Sequence, residues 1–419
     1  SGNPFVISIW YSALTLLSIT AFYLIIKQLF PDQEQSHDWF LFLMVTSAGL
    51  IKAATKIWNP LLSVPLLSWA IWALIQNKNK RWWLFVGFSL LGLLLQAEFA
   101  YGVFLVIGLW LGLKIYYHKA KLMDYLISAL GVFWTLLPQF LFELKNNFLM
   151  TRALFKSLIS DEGRVSLDFM LARRPLQIIH VLAEQVFGGV QWFYQAWVVL
   201  LLLLILVVGW KIKDLSSRLK QHWSLIYLIF FLPLIGYSFW TGNYGFLFPY
   251  YITSHFIPLY LIIFQVSQII KKQKFSFDLS LVSKAILIIL TIINLRFVAG
   301  RIRGTYHSGI LKSTSAINSV YEMAQKRGID QPTLRIFVPG LQTEHYDYLT
   351  KWLANKNQRP IAGTVKDEND QYWYLLMEPD YEIPEKRFVP WYKEATEGGK
   401  LITRQQIGVL TLEEWGRIE

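Results

Sequence analysis

Residues 77–121 read "NKNKRWWLFVGFSLLGLLLQAEFAYGVFLVIGLWLGLKIYYHKAK", and the order of charges along this stretch decides the fold. Lys78, Lys80 and Arg81 open it, Lys119 and Lys121 close it, and Glu98 stands between two apolar runs. A helix needs roughly 20 mostly apolar residues to cross about 30 Å of hydrocarbon. The two runs therefore read as successive crossings, broken where a carboxylate disfavours an uninterrupted buried helix. Both basic ends fall on one side of the membrane, and "QAEFAYG" falls on the other.

The same alternation extends outward along the chain. Apolar spans are expected near 5–28, 39–55, 60–76, 82–97, 99–117, 124–142, 192–210, 223–240, 250–270 and 283–299. Further basic turns are "KIKDLSSRLK" (Lys211, Lys213, Arg218, Lys220) and "KKQK" (Lys271, Lys272, Lys274), whereas "TGNYGFLFPYY" carries no Lys or Arg. Cytoplasmic loops are enriched in Lys and Arg, and this pattern fits about ten crossings. With an even number, Ser1 and the carboxyl tail share the non-cytoplasmic side. "KIWNP" (56–60), Glu98, Glu143, the loop 143–190 and the aromatic turn at Tyr244–Tyr251 then face outward as well.

Composition agrees. Of 419 residues, 54% are hydrophobic and only 16% charged, with a mean hydropathy of +0.37; soluble domains carry about 25% charged residues. The 18 Trp suit side chains that anchor at membrane interfaces. The net charge of +12 is not a nucleic-acid signature: residues 305–419 hold 14 Lys+Arg against 16 Asp+Glu, so the excess belongs to the membrane part. There is no cysteine, which excludes disulfides and thiolate metal sites.

Two segments depart from the spanning pattern. The loop 143–190 is long and charged, and Phe148, Leu149, Ala153, Leu154 and Leu158 recur at helical spacing; it and residues 176–190 are expected as helices lying on the membrane surface. From 305 onward, "TLRIFVPG" and "DQYWYLLMEP" read as strands, and "INSVYEMAQKRG" and "EHYDYLTKWLANK" as amphipathic helices. The fold class expected is an all-α polytopic membrane bundle (1–304) followed by a small α/β extracytoplasmic domain (305–419).

Three motifs in order resemble the GT-C superfamily of membrane glycosyltransferases, in particular the members related to protein O-mannosyltransferases and aminoarabinose transferases. "KIWNP" resembles their outward Trp/Asn-Pro turn, "GFSLLGLLLQAEFAYG" (87–102) their glycine-rich span and turn, and "LLPQFLFELKNNFLMTRAL" (136–154) the segment that opens their outer loop. "FPYYITSHFIPLYLI" (248–262) is a looser match to a late span. The resemblance implies transfer of a sugar from a polyprenyl-phosphate-linked donor to an extracytoplasmic acceptor (protein, lipid or glycan) in a bacterial plasma membrane. It also implies a catalytic Asp in an outer loop after a first helix; "SGNPFVISIW" resembles the segment following that loop, so the Asp is expected upstream of Ser1 and this stretch alone is expected to be inactive. Glu98 stands where the family has His.

Such transfer needs a carboxylate at the acceptor hydroxyl and positive charge at the leaving phosphate. Candidate donor- or acceptor-binding residues are Lys56, Trp58, Asn59, Gln96, Glu98, Tyr101, Glu143, Arg152, Arg173, Arg174 and His255. Each has a structural alternative. Lys56 and Lys52 can snorkel, Asn59 and Pro60 can cap and start a helix, and Trp58, Tyr244, Tyr250 and Tyr251 can belt the interface. The arginines and His180 can meet anionic headgroups. No cofactor is expected from the sequence, and a divalent metal stays open. The rival readings are a polysaccharide polymerase or ligase using lipid-linked glycans, and a transporter or flippase, whose usual inverted repeats have no counterpart here.

Overall fold

Apolar side chains turned outward reveal the solvent this chain is built for. The computed structural model describes residues 3–31, 34–55, 59–76, 81–159, 165–188, 192, 194–199, 201–202, 217–240, 247–272, 279–302, 309–339, 343–364, 370–380, 384–385 and 387–418. Helix α8 (Leu122–Lys145) leaves Leu122, Leu126, Leu130, Phe133, Trp134 and Leu141 exposed, and α1 (Pro4–Leu29) does the same with Ile9, Trp10, Leu16 and Leu17. Helices apolar all round belong in hydrocarbon rather than water. The chain is an integral membrane protein, mostly helical, with a small carboxy-terminal sheet.

The chain divides into two compact units, Ser8–Val298 and Ser1–Ile7 with Ala299–Glu419. Four helices of the described residues are long and apolar enough to cross a membrane: Pro4–Leu29, Asn59–Gln76, Leu122–Lys145 and Leu219–Ser238. A fifth arises if α2 (Glu34–Val45) and α3 (Ala48–Thr55) form one crossing bent by 50°. The bend has a local cause. Thr46 and Ser47 hydroxyls donate to the Phe42 and Met44 carbonyls, and Ser47 Oγ accepts the Leu50 N–H at the start of α3.

Some expected spans are shorter or broken. Helices α4 (Ser63–Gln76), α5 (Trp82–Ala97), α6 (Phe99–Leu111) and α7 (Leu113–Tyr116) follow one another, with α6 and α7 separated at Gly112. The outer-loop segment forms α9 (Leu149–Ile159) and α10 (Leu167–Phe187). Helix α11 (Ser217–Ser238) precedes α12 (Phe256–Lys272) and α13 (Leu279–Ile302). The span expected at 192–210 lies largely outside the described residues. The one expected at 250–270 begins instead as a tight turn, Pro249–His255, with non-helical dihedrals at Ile252, and becomes α-helical only at Phe256. Pro258 then falls in the first turn of α12, where its missing N–H costs no helical hydrogen bond.

Helices α5 and α8 run side by side with their basic starts together. Arg81 Nε lies 2.9 Å from Asp124 Oδ1, and the Asp124 carboxylate also accepts the Lys121 N–H at 2.8 Å. Glycines set the approach: a methyl at Gly131 would collide with the Phe85 carbonyl, and one at Gly92 with Thr135. At its far end α5 breaks at a single extended residue, Glu98 (φ −143°, ψ 96°). Gly102 of α6 then packs against the Leu95 backbone. Residues seven apart along a straight helix sit about 10 Å from each other, so the chain folds back on itself at Glu98.

In the second unit, helices α14 (Ile310–Lys326), α15 (Glu344–Lys356) and α16 (Phe388–Thr396) flank a four-stranded sheet. Its strands β1 (Leu334–Phe337), β2 (Tyr372–Met377), β3 (Gly399–Ile407) and β4 (Leu410–Arg417) lie in the order β1-β2-β4-β3, with β1 and β2 parallel and the other pairs antiparallel. Alternation along β2 explains the two-sided core. Tyr374 and Leu376 pack with Ile317, Val320, Leu349 and Leu353 on one face, while Trp373, Leu375 and Met377 pack with Phe337 and Trp415 on the other. The Trp373 indole donates to the Ala395 carbonyl at 2.9 Å, closing the α16 side.

Two substitutions check these contacts. Gly102→Val drives a branched side chain into the Leu95 backbone, and overpacking costs about 1–3 kcal/mol, so thermal unfolding in detergent should begin at a lower temperature than in the wild type. Trp373→Ala empties the second core and should lower stability by about 3–5 kcal/mol, read as a reduced denaturation midpoint of the tail.

Candidate functional site

The turn Pro249–His255 is irregular backbone among apolar helices, and such backbone must find hydrogen-bond partners inside the protein. It does so from two neighbours. Gln185 Nε2 of α10 donates to the Pro249 carbonyl at 2.9 Å, and the Tyr237 hydroxyl of α11 donates to the Tyr251 carbonyl at 2.9 Å. The Asn59–Leu62 turn, α4, α6 and α10 all pack against it. Three parts of the chain that are far apart in sequence, 59–76, α6 and α10, thus meet around seven residues.

Tyr101 and His255 pair at the centre. Both are fully buried, and the Tyr101 hydroxyl lies 3.3 Å from His255 Nδ1. With the phenol donating to Nδ1, the ring proton sits on Nε2, which has no partner among the described residues. Phe230 covers the imidazole at 4.8 Å. Glu98, three residues before Tyr101, is only 8% exposed, and its carboxylate makes no hydrogen bond or ion pair with the described residues. A buried charge without a partner is costly.

Arg174 supplies the opposite charge. It is 1% exposed, whereas Arg173 beside it is exposed, because adjacent residues point about 100° apart around a helix. Its guanidinium donates to Gln177 Oε1 at 2.8 Å, to the Trp240 carbonyl at 2.7 Å and to Met170 Sδ at 3.4 Å. All three acceptors are neutral, and Nε has no partner among the described residues. Gln185 Oε1 and Trp240 Nε1 are likewise buried with no partner among the described residues. Unsatisfied buried polar atoms are rare in folded proteins, and Gln185 Oε1 and His255 Nε2 are two such atoms at this turn.

The remaining candidates are placed elsewhere or occupied. Asn59 is exposed and its Oδ1 lies 3.5 Å from the Tyr11 hydroxyl. Gln96 donates to the Thr135 carbonyl at 2.6 Å, within a turn of Pro138 in α8. Both Glu143 oxygens accept backbone N–H groups, from Met150 at 3.0 Å and Thr151 at 2.7 Å, which caps α9. Arg152, Arg173 and His180 are exposed. Lys52, weighed as a phosphate contact, pairs with Glu184 Oε1 at 3.0 Å. Lys56, Trp58 and Tyr244 lie outside the described residues. Among the described residues no three His, Asp or Glu side chains gather as a metal site.

Tyr237, Gln185 and Glu184 were not singled out from the sequence. Their signal was polarity on the inward face of an otherwise apolar helix: Val181, Leu182, Ala183 and Val186 share that buried surface of α10 with Gln185.

No protein-family model matches the chain, and no curated protein matches it. Solved structures do. The crystal structure of ArnT from Cupriavidus metallidurans in the apo state aligns with a TM-score of 0.54 at 13% identity, covering 97% of this chain and 83% of that one. ArnT from the same organism bound to undecaprenyl phosphate aligns with a TM-score of 0.52 at 12% identity, with the same coverage. Over nearly its whole length the chain has the fold of ArnT.

Proposed function

We propose that this protein is an integral-membrane glycosyltransferase that moves a sugar from a polyprenyl-phosphate-linked donor to an extracytoplasmic acceptor. The observation that carries the reading is the ArnT-like fold across 97% of the chain, in a fold that binds undecaprenyl phosphate in one of its crystal structures. The buried groups around the 249–255 turn match the chemistry. Arg174, buried among neutral acceptors, is the counter-charge for a leaving phosphate, and a guanidinium offers phosphate a planar fork of donors. Glu98 is the carboxylate that orients a hydroxyl of sugar or acceptor. Tyr101 and His255 present a neutral donor, Nε2–H, beside them. Asn59 and the adjoining Lys56 and Trp58 line the outward turn in this reading.

The topology follows the alternation of basic turns. The apolar helices too short to cross alone, such as α5 and α6, complete a bundle of about ten crossings. Glu98, the segment after residue 142 and the tail face the extracytoplasmic side, where the acceptor is glycosylated in the cell envelope.

The test is transfer by the protein as encoded in its organism, reconstituted in lipid nanodiscs with a radiolabelled sugar on a polyprenyl phosphate, and scored by release of the free lipid phosphate. Glu98→Gln keeps the size and removes the charge; Arg174→Ala removes the phosphate partner. Each should lower the rate roughly 10²-fold, the scale of one positioned acid, base or electrostatic contact, with Arg174→Lys recovering part of it. Wild-type protein that carries the lipid across a proteoliposome bilayer while leaving the sugar–phosphate bond intact would make it a flippase instead.

A further inference from the structure

A cleft of about 490 Å³ opens in the tail domain, lined by residues other than those just described. That volume lies in the range of small-molecule sites. Its position is also one that α/β sheets favour, just beyond the carboxyl end of β2, where β1 and β2 run parallel. Met377, Glu378, Pro379 and Asp380 form one wall as β2 ends, Phe388 and Tyr392 of α16 a second, and Arg404, Gln406, Thr411 and Glu413 of the β3–β4 hairpin a third.

The walls are rigid because one carboxylate organises them. Glu413 is 1% exposed and accepts four donors: Arg404 Nε at 2.7 Å and Nη2 at 2.6 Å on one oxygen, the Tyr392 hydroxyl at 3.0 Å and Trp415 Nε1 at 2.8 Å on the other. Its own capacity is filled, so it positions Tyr392 and Arg404 without facing a ligand itself. Burial, and then the Glu413 charge, raises the Tyr392 phenol above its usual value and keeps it protonated. Phe388 and Tyr392 stack at 5.3 Å and 28°, presenting a half-buried aromatic platform. Opposite it, the Thr411 hydroxyl donates to Gln406 Oε1 at 3.0 Å, which fixes that amide at the rim.

Charge narrows the ligand. Glu378, Asp380 and Glu413 face Arg404 in the lining, and Arg387 pairs with Asp380 through two bonds of 2.9 Å. Three carboxylates against two guanidiniums leave the cleft slightly negative, which disfavours phosphates and other anions. Fixed amide, hydroxyl and carboxylate groups around a stacked aromatic surface suit a ligand with an apolar face and many hydroxyls. We infer that the tail domain binds a neutral saccharide in this cleft, with a sugar ring on the Phe388–Tyr392 platform and its hydroxyls bonded to Arg404, Gln406 and Thr411.

The experiment uses the full chain in nanodiscs and three probes, N-acetylchitotetraose, cellotetraose and anionic tetragalacturonate, followed by saturation-transfer NMR and a binding titration. At least one neutral tetrasaccharide should bind saturably and more tightly than tetragalacturonate. Tyr392→Ala removes the platform and should weaken binding roughly tenfold, the factor that about 1.4 kcal/mol of stacking provides. Gln406→Ala is an exposed change that leaves the fold intact and should weaken binding severalfold. Failure of both neutral probes to bind, preference for the anion, or saturable binding unaffected by Gln406→Ala overturns the inference. Loss of lipid-linked sugar transfer leaves all these readouts in place, so the two proposals fail separately.

Discussion

Hydrocarbon offers a peptide group nothing to bond with, and the turn at 249–255 is the place where this chain meets that constraint most directly. Helices satisfy themselves; a break does not. The carbonyls of Pro249 and Tyr251 are therefore met by Gln185 and Tyr237, side chains delivered by two other helices. Bringing polar side chains into an apolar interior to serve one turn also brings their spare donors and acceptors. Gln185 Oε1 has no partner among the described residues, next to the backbone atoms that are satisfied. The requirement that stabilises the irregular backbone thus concentrates polar groups able to hold a ligand.

A second break shows the same logic in steric form. At Glu98 the chain leaves helical dihedrals for one residue and folds back, which is possible because Gly102 carries no side chain where α6 meets Leu95. Glu98 itself is buried, with 8% of its surface exposed. At the opposite end of α5 the acidic and basic groups are paired: Asp124 is fully buried, and it holds both Arg81 and the Lys121 amide. One end of α5 is neutralised and serves structure. The other keeps an unpaired carboxylate.

Charge order and apolar run length made much of this legible in the sequence. The break at Glu98 falls between helices ending at Ala97 and starting at Phe99, as the carboxylate within two apolar runs required. Helices in the segment after residue 142, and strands at 334–337 and 372–377, follow periodicities visible in the residues. Strand β3 was not legible, because "GKLITRQQI" is an edge strand exposed along most of its length and never shows a buried alternation. Arg174 was legible as a cation but not as a buried one. Its difference from Arg173 is a rotation about the α10 axis, fixed by which side of that helix meets the Trp240 carbonyl. Tyr237 resembles any tyrosine near a membrane surface until the 249–255 turn is placed over it.

Arg174 and Glu98 together carry the strongest argument about what the membrane unit is for. Both side chains are buried, and they do not pair with each other. Pairing would recover part of the desolvation cost of each. Arg174 is instead fixed by a carbonyl, an amide and a thioether, all neutral, with no carboxylate partner among the described residues. Glu98 has no fixed partner at all among the described residues. A fold selected only for stability would replace two such charges by apolar side chains or join them. In the proposed reading, Arg174 is the group that meets a donor's phosphate and Glu98 the group that meets a hydroxyl.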